Sequence, residues 1–406
     1  MARDGNAKGM KETKFKDTEL GKIPEEWDYG KFEDYLDKFS AGATPYRGIA
    51  SNFIGTIPWV SSGELNYNYI TDTREHISQD AQKSTHLTLH PKGTFLIAIT
   101  GLEAAGTRGR CAFIETPATT NQSCLAIYST EKMIVEYLFW FYQQWSDYLA
   151  FNFSQGSKQQ SFTAEIVKKL PIYAPSLSEQ QRIASALSDA DALVAELDAL
   201  IEKKRAIMAG TMQELLTGKR RLQGFSEPWV ERTLEEICLR HDNLRIPVKA
   251  SDRKAGYTPY YGANGIQDYV EGYTHDGESI LIAEDGANDL DNYPVNFAVG
   301  KIWVNNHAHV VKAKEKFIYS YFLYLALKQC NFNDVIVGSS RAKLNASSLM
   351  QINVKYPSSL AEQHAIATIL SDMDAEIAEL EAKRDKYKEV RQGMMQQLLT
   401  GKIRLI

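Results

Sequence analysis

Two stretches of the chain carry a helical apolar period, and the remainder alternates in short runs broken by Gly, Asn and Asp. From residue 183 the apolar positions step by four and three through Ile183, Leu187, Ala190, Val194, Leu197 and Ile201, then Lys204, Met208, Thr211 and Leu215. The same steps recur at Ile366, Leu370, Met373, Ile377, Leu380, Arg384, Tyr387, Arg391, Met394 and Leu398. A seven-residue repeat kept over about four heptads marks a helix that buries a narrow seam against a partner. The pattern predicts two long helices. Their seam is formed by Leu187, Val194, Leu197, Ile201 and Met208 on one, and by Leu370, Ile377, Leu380, Tyr387 and Met394 on the other.

The two stretches are copies of one another. Residues 178–222 and 361–405 align without a gap, with about half the positions identical, and both close on Leu-Leu-Thr-Gly-Lys. Gly218 and Gly401 suit left-handed helix termination. Ser178 with Glu179 and Gln180 suits a first turn, whereas Ala361 offers the second helix no such cap. A helix of about 38 residues is roughly 57 Å long and cannot bury its seam alone. The order globular segment, helix, globular segment, helix makes the first helix lead away and the second lead back. The pair is therefore expected to run antiparallel, with a globular unit at each end. Gly210 and Gly393, at equivalent interior positions, would each cost about 1 kcal/mol; close helix–helix approach is the expected compensation.

The repeat extends faintly into the globular segments. Trp27 opens the first and Trp229 the second, a Gly-Ser loop follows at 156–163 and 338–345, and Pro175 and Pro357 precede the helices. Between these flanks the sequences differ. Short β-rich runs dominate both, with helices expected at 135–149 and 319–329. The predicted fold class is α+β: two α/β units separated by a two-helix antiparallel coiled coil, in a pseudo-two-fold internal repeat. The boundaries are a tail over 1–20, units over 21–175 and 223–358, and helices over 176–222 and 359–406.

Composition narrows the function classes. With 406 residues, 44% hydrophobic and 24% charged, the chain has the balance of a multidomain globular protein. No run approaches the ~18 apolar residues of a membrane span, and the polar N-terminus is unlike a signal peptide. Four isolated cysteines, Cys111, Cys124, Cys238 and Cys330, read as free thiols of a reducing cytoplasm. The net charge of −5 hides no strongly basic segment. A nucleic-acid partner would have to be gripped by local patches, or with help from a partner protein.

Catalytic motifs are missing. There is no phosphate loop or dinucleotide-binding turn and no Asn-Pro-Pro-aromatic tetrapeptide of amino-methyltransferases. Nuclease-like acid and lysine spacings at Asp198, Glu202 and Lys204, and at Asp374, Glu381 and Lys383, fall on the heptad helices and read as solvated faces. His307 and His309 alternate in a strand-like run and read as hydrogen-bonding histidines more readily than as a metal pair. What remains are polar, glycine-flanked loops. In the first unit these are 101–110, with Arg108 and Arg110, and 155–163, with Lys158, Gln159 and Gln160. In the second they are 260–264, 286–288, 305–309 and 339–343, offering Tyr261, Asn264, Asn288, Asn306, His307, Ser340, Arg341 and Lys343. Arg and Lys suit guanine edges, and Asn and Gln suit adenine.

Taken together, the paired openings, Gly-Ser loops, Glu-Gln-x-x-Ile-Ala helix starts and Leu-Leu-Thr-Gly-Lys ends resemble the specificity subunit of type I restriction–modification enzymes over nearly the whole chain. The resemblance implies a non-catalytic subunit in which each globular unit is a target-recognition domain reading one half of a split DNA sequence. It implies helices that act as spacer and as dock for two methyltransferase subunits, with motor–nuclease subunits completing the complex. S-adenosylmethionine, ATP and Mg²⁺ are then expected on those partners and none on this chain. Because the two units differ inside, the double-stranded DNA target is expected to be asymmetric. Two rivals stand beside this reading: a coiled-coil interaction scaffold without a DNA role, and a self-contained nuclease or methyltransferase.

Overall fold

The computed structural model describes residues 13–103, 108–156, 158–337 and 343–406. The chain divides into two compact units, one comprising residues 1–196 and 384–406, the other 197–383. Both boundaries fall inside the long helices, Leu177–Leu215 and Leu360–Leu398.

Among the described residues, unit one is built on a five-stranded sheet in the order Leu36–Ala41, Cys124–Ser129, Phe95–Ala98, Cys111–Ile114, Asn68–Ile70, antiparallel except for the last pair. Its central strands are continuous apolar runs because both faces are covered. Strand alternation sends Phe95, Ile97, Phe113, Leu125 and Ile127 to one core. Leu96, Ala98, Ala112, Ile114 and Ala126 go to a second, smaller one. The larger core is closed by the helix Val135–Phe153, whose Phe139 ring lies 4.8 Å from that of Phe113. It is also closed by Ile183, Ala184 and Leu187 from the start of the first long helix, and by Met395, Leu398 and Leu399 from the end of the second.

Unit two repeats this plan with different residues. A four-stranded antiparallel sheet runs in the order Cys238–Arg240, Ala308–Ala313, Ser279–Ala283, Val295–Ala298. Ile280, Ile282 and Val311 face the larger core, while Leu281, Val310 and Ala308 face the smaller. The helix Ser320–Lys328 covers the larger core, together with Leu215 and Leu216 at the end of the first long helix and Ile366, Ala367 and Leu370 near the start of the second. A second, three-stranded sheet joins Gly265–Val270, Ala255–Gly262 and Trp303–Val304. The two units share a flanking frame: Asp28–Lys31 pairs with Pro171–Ala174, and Trp229–Thr233 pairs with Asn353–Pro357.

Within each unit the helix segments run in opposite directions, as expected. In unit one Asp191 meets Arg391, and Arg182 donates to the Leu405 carbonyl at 3.0 Å. In unit two Lys204 meets Glu376 at 2.6 Å and Arg205 meets Glu381. These pairs also occupy Lys204 and Glu381, two of the residues that mimic nuclease spacing. The seam residues Leu187, Val194, Leu197, Ile201, Leu370 and Ile377 are buried, whereas Met208, Leu380, Tyr387 and Met394 are half-buried. Towards the helix ends Met212 and Met395 take the inward place expected of Thr211 and Met394, because a straight helix drifts against a seven-residue repeat.

Two local expectations are corrected. The first long helix is capped by Ser176, whose Oγ accepts the Glu179 N–H, not by Ser178. Gly210 and Gly393 do not mark close approach, since a Cβ added at either meets no atom within 4 Å. Gly218 and Gly401 behave as predicted, with φ of 72° and 67°. Their tightness has a further reason, because a Cβ at Gly401 would lie 2.3 Å from Pro24 and one at Gly218 would lie 3.2 Å from Trp229.

Replacing Gly210 or Gly393 by Ala is expected to stabilise the corresponding unit by about 1 kcal/mol through helix propensity. Replacing Gly401 should destabilise unit one by at least ~1–2 kcal/mol from the left-handed backbone alone. Scanning calorimetry of the three variants checks the signs.

Candidate nucleic-acid interface

Each unit is closed by a buried polar clamp that apolar periodicity does not reveal. In unit one Glu179, 1% exposed, accepts Arg404 Nε at 2.6 Å and Nη2 at 2.8 Å, and also the Trp27 indole N–H at 3.1 Å. In unit two Glu362, 0% exposed, accepts Arg221 Nε at 2.6 Å and Nη2 at 2.7 Å. These bonds push both guanidinium pKa values up. The neighbouring glutamines do matching work. Gln180 accepts the Ile134 N–H at 2.8 Å and donates to the Lys132 and Pro175 carbonyls. Gln363 accepts the Tyr319 N–H at 2.7 Å and donates to Phe317 and Pro357. The Glu-Gln pair that reads as a first turn in sequence thus fastens the sheet-covering helix of each unit and the far end of the other long helix.

On this frame the candidate loops of unit one come together. Thr100 bridges Ser161, the Leu102 N–H donates to the Gln160 carbonyl at 3.1 Å, and the Gln160 N–H donates to Glu103 Oε2 at 3.1 Å. Lys158 and Gln159 are exposed at the tip, and Gln160 is half-buried. Arg108 closes its own loop, donating from Nε to the Leu102 carbonyl at 2.8 Å and from Nη2 to Glu103 at 3.0 Å. Arg110 lines a polar cleft of about 580 Å³ with Asn66, Asn68, Thr73 and Arg74.

The loops of unit two also converge. Asn264 donates to the Gly286 carbonyl at 2.9 Å and accepts the Asn288 N–H at 3.0 Å. Asp285 bridges Lys343 in the main chain and holds the His307 ring. Asn288, Asn306, His307 and Lys343 are exposed at this edge. Tyr261 is not brought to it; the ring is buried in the smaller core and its phenol pKa is raised by burial. Ser340 and Arg341 lie outside the described residues.

Beneath the exposed edge sits a charged network that sequence reasoning missed. Arg245 donates from Nη1 to Glu284 at 2.7 Å and to the Ala308 carbonyl at 2.8 Å, and from Nε to the Asp242 carbonyl at 3.0 Å. Lys343 Nζ is 3.0 Å from the other Glu284 oxygen. His309 is buried against Asp242 at 2.7 Å. Burial alone would raise the Asp242 carboxyl, but the His309 bond, the Val310 N–H and Arg245 hold it below its ordinary value. Glu284 is held down in the same way by Arg245 and Lys343, against the effect of burial. His309 lies in the strand Ala308–Ala313 and is buried, while His307, in the turn before it, is exposed. Among the described residues no group of three or more His, Cys, Asp or Glu side chains is arranged to hold a metal ion, and no helix is long and apolar enough to cross a membrane.

The profile of the type I restriction modification DNA specificity domain matches residues 24–204 and again 226–389. The chain belongs to this family. It is 49% identical over 154 residues to a Haemophilus influenzae chain named as a type I restriction enzyme specificity subunit, and 36% identical over 188 residues to the MjaIX specificity subunit of Methanocaldococcus jannaschii. Those alignments cover 38% and 45% of this chain and span 39% and 42% of the relatives' own length. In fold it is similar to the type I restriction–modification S subunit from M. genitalium, with a TM-score of 0.63 at 18% identity, covering 92% of this chain and 96% of that one.

Two outcomes follow from the charges. Glu179→Gln leaves Arg404 without its main partner and should lower the thermal midpoint of unit one by several degrees, whereas Glu26→Gln, at a 70% exposed side chain, should change it little. Because Asp242 and Glu284 have depressed pKa values when folded, the stability they supply is present above their unfolded values, near 4, and lost as pH falls through the folded ones. Acid titration of unit two should therefore be shallower in Glu284→Gln than in the parent.

Proposed function

We propose that this chain is the DNA-reading subunit of a type I restriction–modification complex. Each unit reads one half of a split, asymmetric duplex target through its converged loops. The long helices set the separation of the half-sites and dock two methyltransferase subunits, and motor–nuclease subunits join that assembly. The chain itself is non-catalytic; S-adenosylmethionine, ATP and Mg²⁺ belong to the partners. One observation carries the reading: a duplicated frame holds two chemically unlike sets of polar loops, Lys158, Gln159 and Gln160 on one unit and Asn264, Asn288, Asn306, His307 and Lys343 on the other. A scaffold without a DNA role would have no use for guanine- and adenine-suited side chains gathered at one edge of each unit. By residue type alone Ser340 and Arg341 are further proposed contacts of unit two and Arg110 of unit one, whereas Arg108 shapes its own loop and Tyr261 stays in the smaller core. The near-neutral charge fits a reader whose partners supply much of the phosphate attraction.

Exchanging residues 223–358 for the corresponding unit of another family member should change one half of the methylated sequence and leave the other intact. Simultaneous change of both halves, read by sequencing methylated DNA, would contradict the assignment of one reader per half.

A further inference from the structure

The smaller sheet of each unit follows one plan. In unit one Ile57–Val60 lies between Thr119–Thr120, parallel to it, and His76–Ile77, antiparallel. In unit two Ala255–Gly262 lies between Trp303–Val304, parallel, and Gly265–Val270, antiparallel. Each central strand carries a buried aromatic ring, Trp59 or Tyr260. Over each ring lies a guanidinium from the loop that leads into the strand. Arg47 Cζ stands 5.4 Å from the Trp59 ring and 4.6 Å from that of Phe53, and Arg253 Cζ stands 4.1 Å from the Tyr260 ring. In both units a carboxylate across from the aromatic residue, on the antiparallel side, holds the guanidinium. Arg47 makes two bonds of 2.8 Å to Glu75, whose carbonyl accepts the Trp59 N–H at 3.1 Å. Arg253 donates at 3.3 Å to Asp268, the register partner of Tyr260.

We propose that Arg47 and Arg253 are equivalent positioning residues. Each locks the outer strand of its small sheet, so that Arg74 in one unit and Asn264 in the other meet the bases of their half-sites. The proposal rests on the DNA-reading function above. The sequences around the two arginines are unlike, so the recurrence belongs to the three-dimensional plan. Stability alone gives little reason for it. The Glu75 and Asp268 side chains are 39% and 45% exposed, and ion pairs open to water contribute on the order of 1 kcal/mol or less. What a planar guanidinium adds is direction. Stacked on a ring and bonded along its edge, it fixes loop and strand in one geometry, which a lysine ammonium does not.

The locked strands lead to groups suited to base edges. Glu75 follows Arg74, an exposed side chain that shares the polar cleft of unit one with Asn66, Asn68 and Arg110. The Arg74 N–H donates to Glu64 at 2.8 Å, so the main chain is fixed on both sides of a side chain that suits guanine. In unit two Tyr260 and Asp268 flank the turn that carries Asn264, the residue that ties Gly286 and Asn288 to the edge. The Tyr260 hydroxyl also accepts the Val248 N–H at 3.0 Å, while Arg253 Nε donates to the Val248 carbonyl at 3.3 Å. Loop, ring and outer strand therefore move as one. Support of this kind decides whether surface groups meet base edges or miss them.

Arg47→Lys and Arg253→Lys keep the charge and lose the planar fork. The full chain, co-expressed with its methyltransferase subunit, is used to select duplexes from a random library, as parent and as each variant. Arg47→Lys should lose about tenfold in discrimination at the unit-one half-site alone, and Arg253→Lys as much at the unit-two half-site alone. Glu75→Gln should match Arg47→Lys, and the double variant should lose no more than either single one. Retained discrimination, or collapse of the unit's thermal midpoint, would overturn the positioning role. Equal loss on every sequence would overturn it too, by marking a phosphate contact. Amide exchange of the full chain without DNA tests the lock itself. The Trp59 N–H should exchange faster in Arg47→Lys and at the parent rate in Arg253→Lys; an unchanged rate in Arg47→Lys would overturn the lock. A parent that selected no sequence would overturn the DNA-reading function and the positioning role with it, while the exchange rates would still judge the lock.

Discussion

The structure depends on a carboxylate taken out of water at the start of each long helix. Glu179 and Glu362 are almost wholly enclosed, and a bare carboxylate in that position would cost several kcal/mol. Each is answered by a two-pronged guanidinium, Arg404 in one unit and Arg221 in the other, that lies just beyond the end of the opposite long helix. A bridge of this sort adds little net stability over an apolar substitute, but it penalises every arrangement that leaves its charge stranded. In each unit it admits one pairing of helix start with helix end, and that pairing runs the helices in opposite senses. The adjoining Gln180 and Gln363 extend the same logic to the sheet-covering helices by capping their first turns.

A frame specified this way leaves the loops free to differ. The flanking strands, the clamp and the left-handed glycine recur in both units, whereas the sheets between them share little sequence. Rigid support with variable loops is the general arrangement by which binding specificity changes without loss of fold. Unit one stitches two loops through main-chain bonds at Thr100, Leu102 and Gln160, while unit two relies on side-chain ions under its edge. The same task of presenting polar groups is met by different chemistry, consistent with two unlike readers on one plan.

The long helices were legible because apolar periodicity reports burial directly, and their left-handed ends because Gly218 and Gly401 stand just past the last apolar positions. The helix expected to end at residue 149 continues to Phe153, with Ala150 buried on the core side, and the one expected over 319–329 spans Ser320–Lys328. The clamp was not legible by that criterion, since periodicity assigns Glu and Gln to solvent. A signal was nonetheless present: the Glu-Gln pair and the later Arg occupy equivalent places in both copies, although exposed positions of the repeat have drifted. Arg245 gave no such signal, because its partners Glu284 and Ala308 are distant in sequence. Gly210 and Gly393 misled for a related reason. Glycine in a helix implies some relief of crowding, but here no neighbour stands where a side chain would go.

The central claim is that two unlike readers on a repeated frame define one split DNA target. Mapping methylated adenines across the host genome, with and without this chain, tests it most directly. The account predicts a single motif of two different short blocks separated by unread base pairs, vanishing when the chain is deleted. A continuous motif, a perfect palindrome, or a pattern indifferent to the deletion would contradict it.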